Sequence, residues 1–274
     1  MADSDSDIEP GDLALESLFP EAPRPPSPEP TVSTYIREKR TKPGDAIGFD
    51  DTTTNIGQGV WSKIEIRLVG SHPLWGHYLW NAAKAFASHL DRNVELYRGK
   101  NVLELGAGGG LPGLATVLNG SRRTVLTDYP DKALLENLEY NVRLNIPESF
   151  RDSVLVQGYT WGTSVDRLLE AAPDKYDLII LSDLIFNHSQ HDALLEACEL
   201  TLRDNSPDAL PTVLVFYTHH RPHLASRDLE FFKKAEERGW TCKEIITERF
   251  PPMFPDDPGD ETVRATVHGW ALTR

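Results

Sequence analysis

The chain has 274 residues, 39% of them hydrophobic, with 28 basic against 42 acidic side chains and a formal net charge of −14. That length can bury the core of one large α/β domain, no apolar run approaches the roughly 18 residues of a membrane span, and the negative charge disfavours a nonspecific hold on nucleic acid or anionic lipid. Cys198 and Cys242 form neither a CxxC nor a Cys/His ligand spacing, which argues against a disulfide framework or a zinc site and suits a reducing, cytoplasmic location.

The first 34 residues carry eight acids against Arg24 alone, half of the net charge, and include the proline-dense run PEAPRPPSPEP. Fixed φ angles and missing N–H groups keep such a run out of helices and ladders. Composition therefore predicts a disordered acidic tail over 1–34 and a single folded domain over 35–274. TKPGDAIGFDDTTTNIGQGV reads as loop and KIEIRLVG as a short strand, while HYLWNAAKAFASHL shows helical periodicity through Leu79, Ala83, Phe86 and Leu90.

A strand and helix rhythm follows. NVLEL precedes a helix from Leu111, TVLTD a helix from Asp131 to Asn145, and SVLVQG a short helix from Ser164; YDLIILSD precedes a helix from Ser189 to Leu202, and PTVLVFYT one from Ala225 to Arg238. The last two β-rich runs, TCKEIITERF and TVRATVHGWALTR, have no helix between them and should pair antiparallel. The fold class predicted is α/β: a Rossmann-like sheet of seven strands with helices on both faces and a C-terminal antiparallel hairpin.

The stretch VLELGAGGGLPG, from Val102 to Gly113, packs five glycines behind the first of these strands, where its helix begins. A turn of this kind lets backbone N–H groups and a helix N-terminus approach a nucleotide-like ligand. Asp128 ends the next strand, 22 residues after Gly106, the spacing at which an acid accepts hydrogen bonds from ribose hydroxyls; its alternative role is to cap the following helix. Dinucleotides and S-adenosylmethionine both use such turns. Glu104 favours the second, because a carboxylate repels pyrophosphate but attracts an ammonium and a sulfonium.

The pattern ELGAGGG resembles the first motif of the seven-strand S-adenosylmethionine-dependent methyltransferases. YLWNAA around Trp80, ELGAG, Asp128 after a strand, YTWG containing Trp161 and LSDLIF from Leu181 to Phe186 are similar, in order and spacing, to the methyltransferase-16 family of protein lysine methyltransferases. HPLWGHYLWNA, VLTDYPD, ENLEYNV and FYTHHRP look like the eukaryotic branch that methylates translation elongation factor 1-alpha at its N-terminal residue and a nearby lysine. That branch was earlier labelled nicotinamide N-methyltransferase-like. The likeness runs from about Tyr35 to the C-terminus.

The resemblance implies S-adenosyl-L-methionine as cofactor, contacted by Trp80, Glu104, Gly106, Ala107, Gly108, Asp128, Trp161 and Ser182. Trp161 suits a wall against the adenine, although both it and Trp80 also fit plain core packing. Asp183 and Phe186 form a D-x-x-F after the fourth strand, as an active-site pair or as a helix-capping acid with a packing aromatic. Asn187, His188 and Tyr217 to Pro222 are candidates for the acceptor channel. His219 and His220 lack further ligand spacing, so no metal is expected. The implied partner is elongation factor 1-alpha as protein substrate, with the chain acting as a monomer. Two other functions stay open at this level, a small-molecule N-methyltransferase taking a nicotinamide-like pyridine and a catalytically silent, cofactor-bound interaction module.

Overall fold

A computed structural model describes residues 28–38, 61–73, 76–205 and 210–274. Residues 1–27 of the tail expected over 1–34, and the loop expected over 41–60, lie outside the described residues. β1 (Thr31–Ile36) pairs antiparallel with β2 (Lys63–Leu68), Thr31 opposite Leu68 and Ile36 opposite Lys63. The tail boundary expected at residue 34 thus falls inside a strand. The β-branched density of TVSTYI outweighs the acidic, proline-rich composition before it, and Tyr35 anchors the strand with its buried hydroxyl 2.8 Å from Ser88 Oγ.

The main sheet contains β3 (Asn101–Leu105), β4 (Arg123–Asp128), β5 (Val154–Gly158), β6 (Leu178–Ser182), β7 (Thr212–Thr218), β8 (Thr241–Arg249) and β9 (Thr266–Thr273). Its spatial order is β5-β4-β3-β6-β7-β9-β8. The five strands from β3 to β7 run parallel, and β9 runs antiparallel to both β7 and β8. Strand order reverses direction at the β3/β6 pair, and in an open α/β sheet that is where a crevice forms at the carboxyl ends of the strands.

Helices cover both faces, as expected from strands buried on each side. α1 (Asn81–Arg92), α2 (Leu111–Leu118) and α3 (Lys132–Asn145) lie on one face, and α4 (Asp166–Ala171), α5 (His191–Thr201) and α6 (Ala225–Glu237) on the other. Leu103 and Leu105 of β3 pack into the α4–α6 core while Val102 packs towards α1, so the period of two turns Glu104 to the α1–α3 side. Asp131, placed within α3 by the sequence pattern, is its N-cap, accepting from the N–H groups of Ala133 and Leu134.

The final run departs from expectation at its start. Residues Glu261–Arg264 form a helical turn, α7, capped by Asp260, and the strand begins only at Thr266. The cap bond and the buried Arg264, which donates to the Phe254 carbonyl, outweigh the β-propensity of Thr262 and Val263. Among the described residues no helix is long and apolar enough to cross a membrane.

Among the described residues β2 pairs with β1 alone, and α3 lines its other edge with side chains. Asn137, Asn141 and Asn145, four residues apart, share a helix face. The Asn145 amide exchanges hydrogen bonds with the Glu65 backbone at 2.9 and 2.8 Å. Asn141 does the same with Arg67, both at 2.8 Å, and Asn137 donates to the Arg67 carbonyl. Asn141 also donates to the Gly109 carbonyl at 3.0 Å, joining β2 and α3 to the glycine turn. Asn141→Ala should lower stability by about 1–3 kcal/mol through buried backbone groups left unpaired, and Asn141→Asp, which keeps the acceptor but loses the donors, by at least as much. Urea unfolding of both variants measures this; wild-type midpoints for the pair would show that the row holds nothing.

Candidate active site

A cavity of about 870 Å³ opens at the carboxyl ends of β3, β4 and β6. Trp80, Gly106, Ala107, Gly108, Asp128, Trp161, Ser182, Asp183 and Phe186 all line it. Sequence reasoning picked each of these, and the topology brings them together from the start of α1, the glycine turn, and the ends of β4, β5 and β6.

Asp128 organises the turn. Its Oδ2 accepts the Gly108 N–H at 2.7 Å and its Oδ1 the Tyr129 N–H at 2.7 Å. Burial pushes its pKa up, opposed by those two backbone donors. Each carboxylate oxygen retains a second lone pair, the capacity needed to accept ribose hydroxyls. Gly108 has φ +54°, and a Cβ built there would meet nothing within 4 Å. Left-handed backbone favours glycine at this point, and the open space above it is the kind of cradle a ligand fills. The residues present therefore fit a nucleoside cofactor.

Glu104 does not line the cavity, which corrects its expected role as a direct cofactor contact. Its side chain is fully buried on the α2 side of β3, where Oε2 accepts the Gly113 N–H at 2.8 Å. A Cβ on Gly113 would stand 2.4 Å from that oxygen, so the close approach requires glycine. Burial pushes the Glu104 pKa up to about 8, offset by the Gly113 bond and reinforced by the charge of Asp128. The acid holds the turn rather than the ligand.

A smaller recess of about 230 Å³ adjoins the cavity, walled by Trp80, Phe186, Phe254, Asp183, His220, Arg221 and Asp257. Trp80, Asp183, Phe186 and Arg221 line both spaces. The aromatic wall is continuous: Tyr78 and Trp80 have ring centroids 5.3 Å apart, Tyr78 meets Phe254 edge-on at 5.2 Å, and Trp80 lies 4.7 Å from the His220 ring.

Asp183 sits at the junction with φ +60°, a conformation that costs a non-glycine residue about 1–2 kcal/mol. Its N–H donates to the Phe216 carbonyl at 2.7 Å, Oδ1 accepts from Thr218 N–H at 3.3 Å, and Oδ2 lies 2.9 Å from His220 Nε2. Burial pulls the His220 pKa down, but the charge and hydrogen bond of Asp183, with Asp228 further off, leave it raised.

The other acceptor-channel candidates divide. Asn187 lines the cavity and His220 and Arg221 the recess, whereas His188, Tyr217, Thr218, His219 and Pro222 line neither. His188 and His219 are bound to the two oxygens of buried Asp228, at 2.7 and 2.6 Å, beneath the site. Phe254 and Asp257 were missed, because PPMFPDDPGDE reads only as a loop and nothing local ties it to Trp80 across more than 170 positions. Tyr129 was missed although it follows Asp128 directly; it lines the cavity while half exposed.

Seven strands in this order, a terminal hairpin, a glycine turn after the first parallel strand and an acid closing the second define an S-adenosylmethionine-dependent methyltransferase. The sequence pattern of the lysine methyltransferase family matches residues 51–238, and the chain belongs to that family. A Cryptococcus neoformans relative, "Protein N-terminal and lysine N-methyltransferase EFM7", is 42% identical over 280 residues, covering 96% of this chain and 89% of its own. The Schizosaccharomyces pombe protein of the same description is 44% identical over 215 residues, covering 77% and 82%. Among solved structures, a putative methyltransferase from Streptococcus mutans aligns with TM-score 0.54 at 14% identity over 76% of this chain and 53% of that one. Another, SMU.776 complexed with SAH, aligns with TM-score 0.53 at 14% identity over 77% and 53%. The chain spans about half the length of those two structures, and the likeness to them is one of fold.

The Glu104 assignment has a pH signature. The unfolded chain releases this proton near pH 4.5 and the folded protein holds it to about 8. The stabilisation associated with the proton is complete below that window and is lost as pH rises through it. Glu104→Gln, which cannot ionise, should therefore gain on wild type in melting temperature between pH 5 and pH 8.5. A difference between the two proteins that stays constant with pH would mean that the folded acid is already ionised.

Proposed function

We propose that the protein transfers methyl groups to the N-terminal α-amine and an adjacent lysine of translation elongation factor 1-alpha, working as a monomer. The relatives described as N-terminal and lysine N-methyltransferases support the two acceptor types, and the motifs around Trp80, Asp128 and Tyr217 support the substrate. The observation that carries the reading is the junction at Asp183, where a nucleoside-sized cavity meets a short aromatic recess carrying two acids and one arginine. A shallow recess of that kind suits the end of a peptide chain, and a net charge of −14 favours a basic partner.

Trp80, Gly106, Ala107, Gly108, Asp128, Trp161 and Ser182 hold the cofactor in this reading, with Asp128 on the ribose and Trp161 against the adenine. The cofactor supplies a methyl group already activated on a sulfonium. The protein's work is to hold the amine in line with it and to deal with the amine's proton. Neutralising an unperturbed lysine at pH 7 costs about 4.6 kcal/mol, but an α-amine only about 1 kcal/mol. Asp183 draws the cation inward, and Trp80, Phe186 and Phe254 exclude the water that keeps it charged. The α-amine is the easier acceptor.

Labelled cofactor incubated with purified elongation factor 1-alpha, followed by mass spectrometry, should place label on the N-terminal residue and a nearby lysine. Label confined to a pyridine metabolite in cell extract would replace this reading with small-molecule methylation. Asp128→Asn should weaken cofactor binding about tenfold to a hundredfold, the worth of hydrogen bonds to a charged acceptor, read by calorimetry. Asp183→Ala should abolish most transfer while keeping cofactor affinity within a few fold; unchanged turnover would remove Asp183 from the reaction.

A further inference from the structure

The geometry points to His220 as the proton acceptor for the incoming amine, taking the proton on Nδ1 while Nε2–H remains bonded to Asp183. This rests on the amine-methylating reading above and adds a catalytic group that neither the motif nor the family likeness assigns.

His220 Nε2 lies 2.9 Å from Asp183 Oδ2. The other carboxylate oxygen is occupied by the Thr218 N–H and the aspartate backbone by the Phe216 carbonyl, so the acid cannot swing away. A carboxylate on Nε2 selects the tautomer with hydrogen there and leaves Nδ1 with a lone pair. Nδ1 makes no hydrogen bond among the described residues, and the ring forms part of the recess wall, braced by Trp80 at 4.7 Å. His188 and His219 cannot substitute, since both are held by Asp228 and line neither cavity.

The charged groups facing His220 are Asp183 after β6, Arg221 beside it, Asp257 across the recess and Asp228 on α6. Three acids against one base stabilise the imidazolium once it forms. Before that, Asp183 and Asp257 draw an ammonium to the neutral imidazole. The ammonium N–H bond then breaks towards Nδ1 and leaves its electron pair on nitrogen. That pair forms the bond to the methyl carbon as the carbon–sulfur pair passes to sulfur, and the proton leaves from Nδ1 to water through the recess.

An α-ammonium, near 7.7–8.0, gives up its proton far more readily than a lysine near 10.4, so a histidine base serves the N-terminal amine first. His220→Gln retains an amide donor for Asp183 and removes the base. With an N-terminal peptide of elongation factor 1-alpha whose lysines are blocked, kcat at pH 7 should fall about a hundredfold. KM and the calorimetric affinity for S-adenosylhomocysteine should stay within a few fold. The deficit should shrink steadily towards pH 9.5, where the amine loses its own proton. A deficit independent of pH, or none, overturns the assignment. Nitrogen-15 NMR of labelled histidine in the full chain loaded with S-adenosylhomocysteine should show the Nε2–H tautomer for the His220 resonance once it is neutral; the Nδ1–H tautomer also overturns it. If wild type leaves the peptide unlabelled, the substrate reading falls, and the tautomer still decides the role of His220.

Discussion

One buried hydrogen bond, from the Gly113 N–H to Glu104, decides where the glycine turn sits. β3 is a central strand, buried on both faces, and its fourth residue reaches sideways to the first turn of α2 instead of forward to the ligand. Asp128 secures the same turn from β4 through Gly108, and Asn141 secures it from α3 through Gly109. With three elements holding Gly108, Gly109 and Gly113, the backbone of the turn is set before any cofactor arrives. Preorganisation of that kind lowers the ordering cost of binding. The acids that line the cavity are Asp128, Asp131 and Asp183, while the acid of the glycine motif is turned away from it.

The cavity and the recess are formed by different parts of the sheet. β3, β4 and β5 end around the larger cavity, while β6 and β7 end at the recess, and Asp183 stands between them in a conformation that only its surrounding hydrogen bonds sustain. Observed backbone strain of this sort collects where geometry matters more than local comfort. The Phe254 loop completes the recess from beyond β8, tied down by the buried Arg264. The terminal hairpin therefore contributes a wall of the site as well as an edge of the sheet.

Much of this was legible from the amino acids. Parallel strands buried on both faces read as continuous apolar runs, so NVLEL, TVLTD and YDLIILSD announced themselves, and the residues at their ends had to meet at one edge of the sheet. Glu104 was misread because motif spacing places a residue along the chain and says nothing of which face it takes. The alternation of Leu103 and Leu105 was the available clue, blunted because both faces of β3 are apolar. β1 was hidden by the acidic composition before it. The pairing of His220 with Asp183 and the arrival of Phe254 depend on contacts between distant segments, and no local pattern encodes them.

The asparagine row on α3 carries a chemical hazard that its placement holds off. Asn141 is donor and acceptor at once to a strand, and donor to the glycine turn. Hydrolysis of that amide to an acid would set oxygen against two carbonyls and loosen β2 and the turn together. Its complete burial in a helix withholds it from the water and backbone freedom that such decay requires.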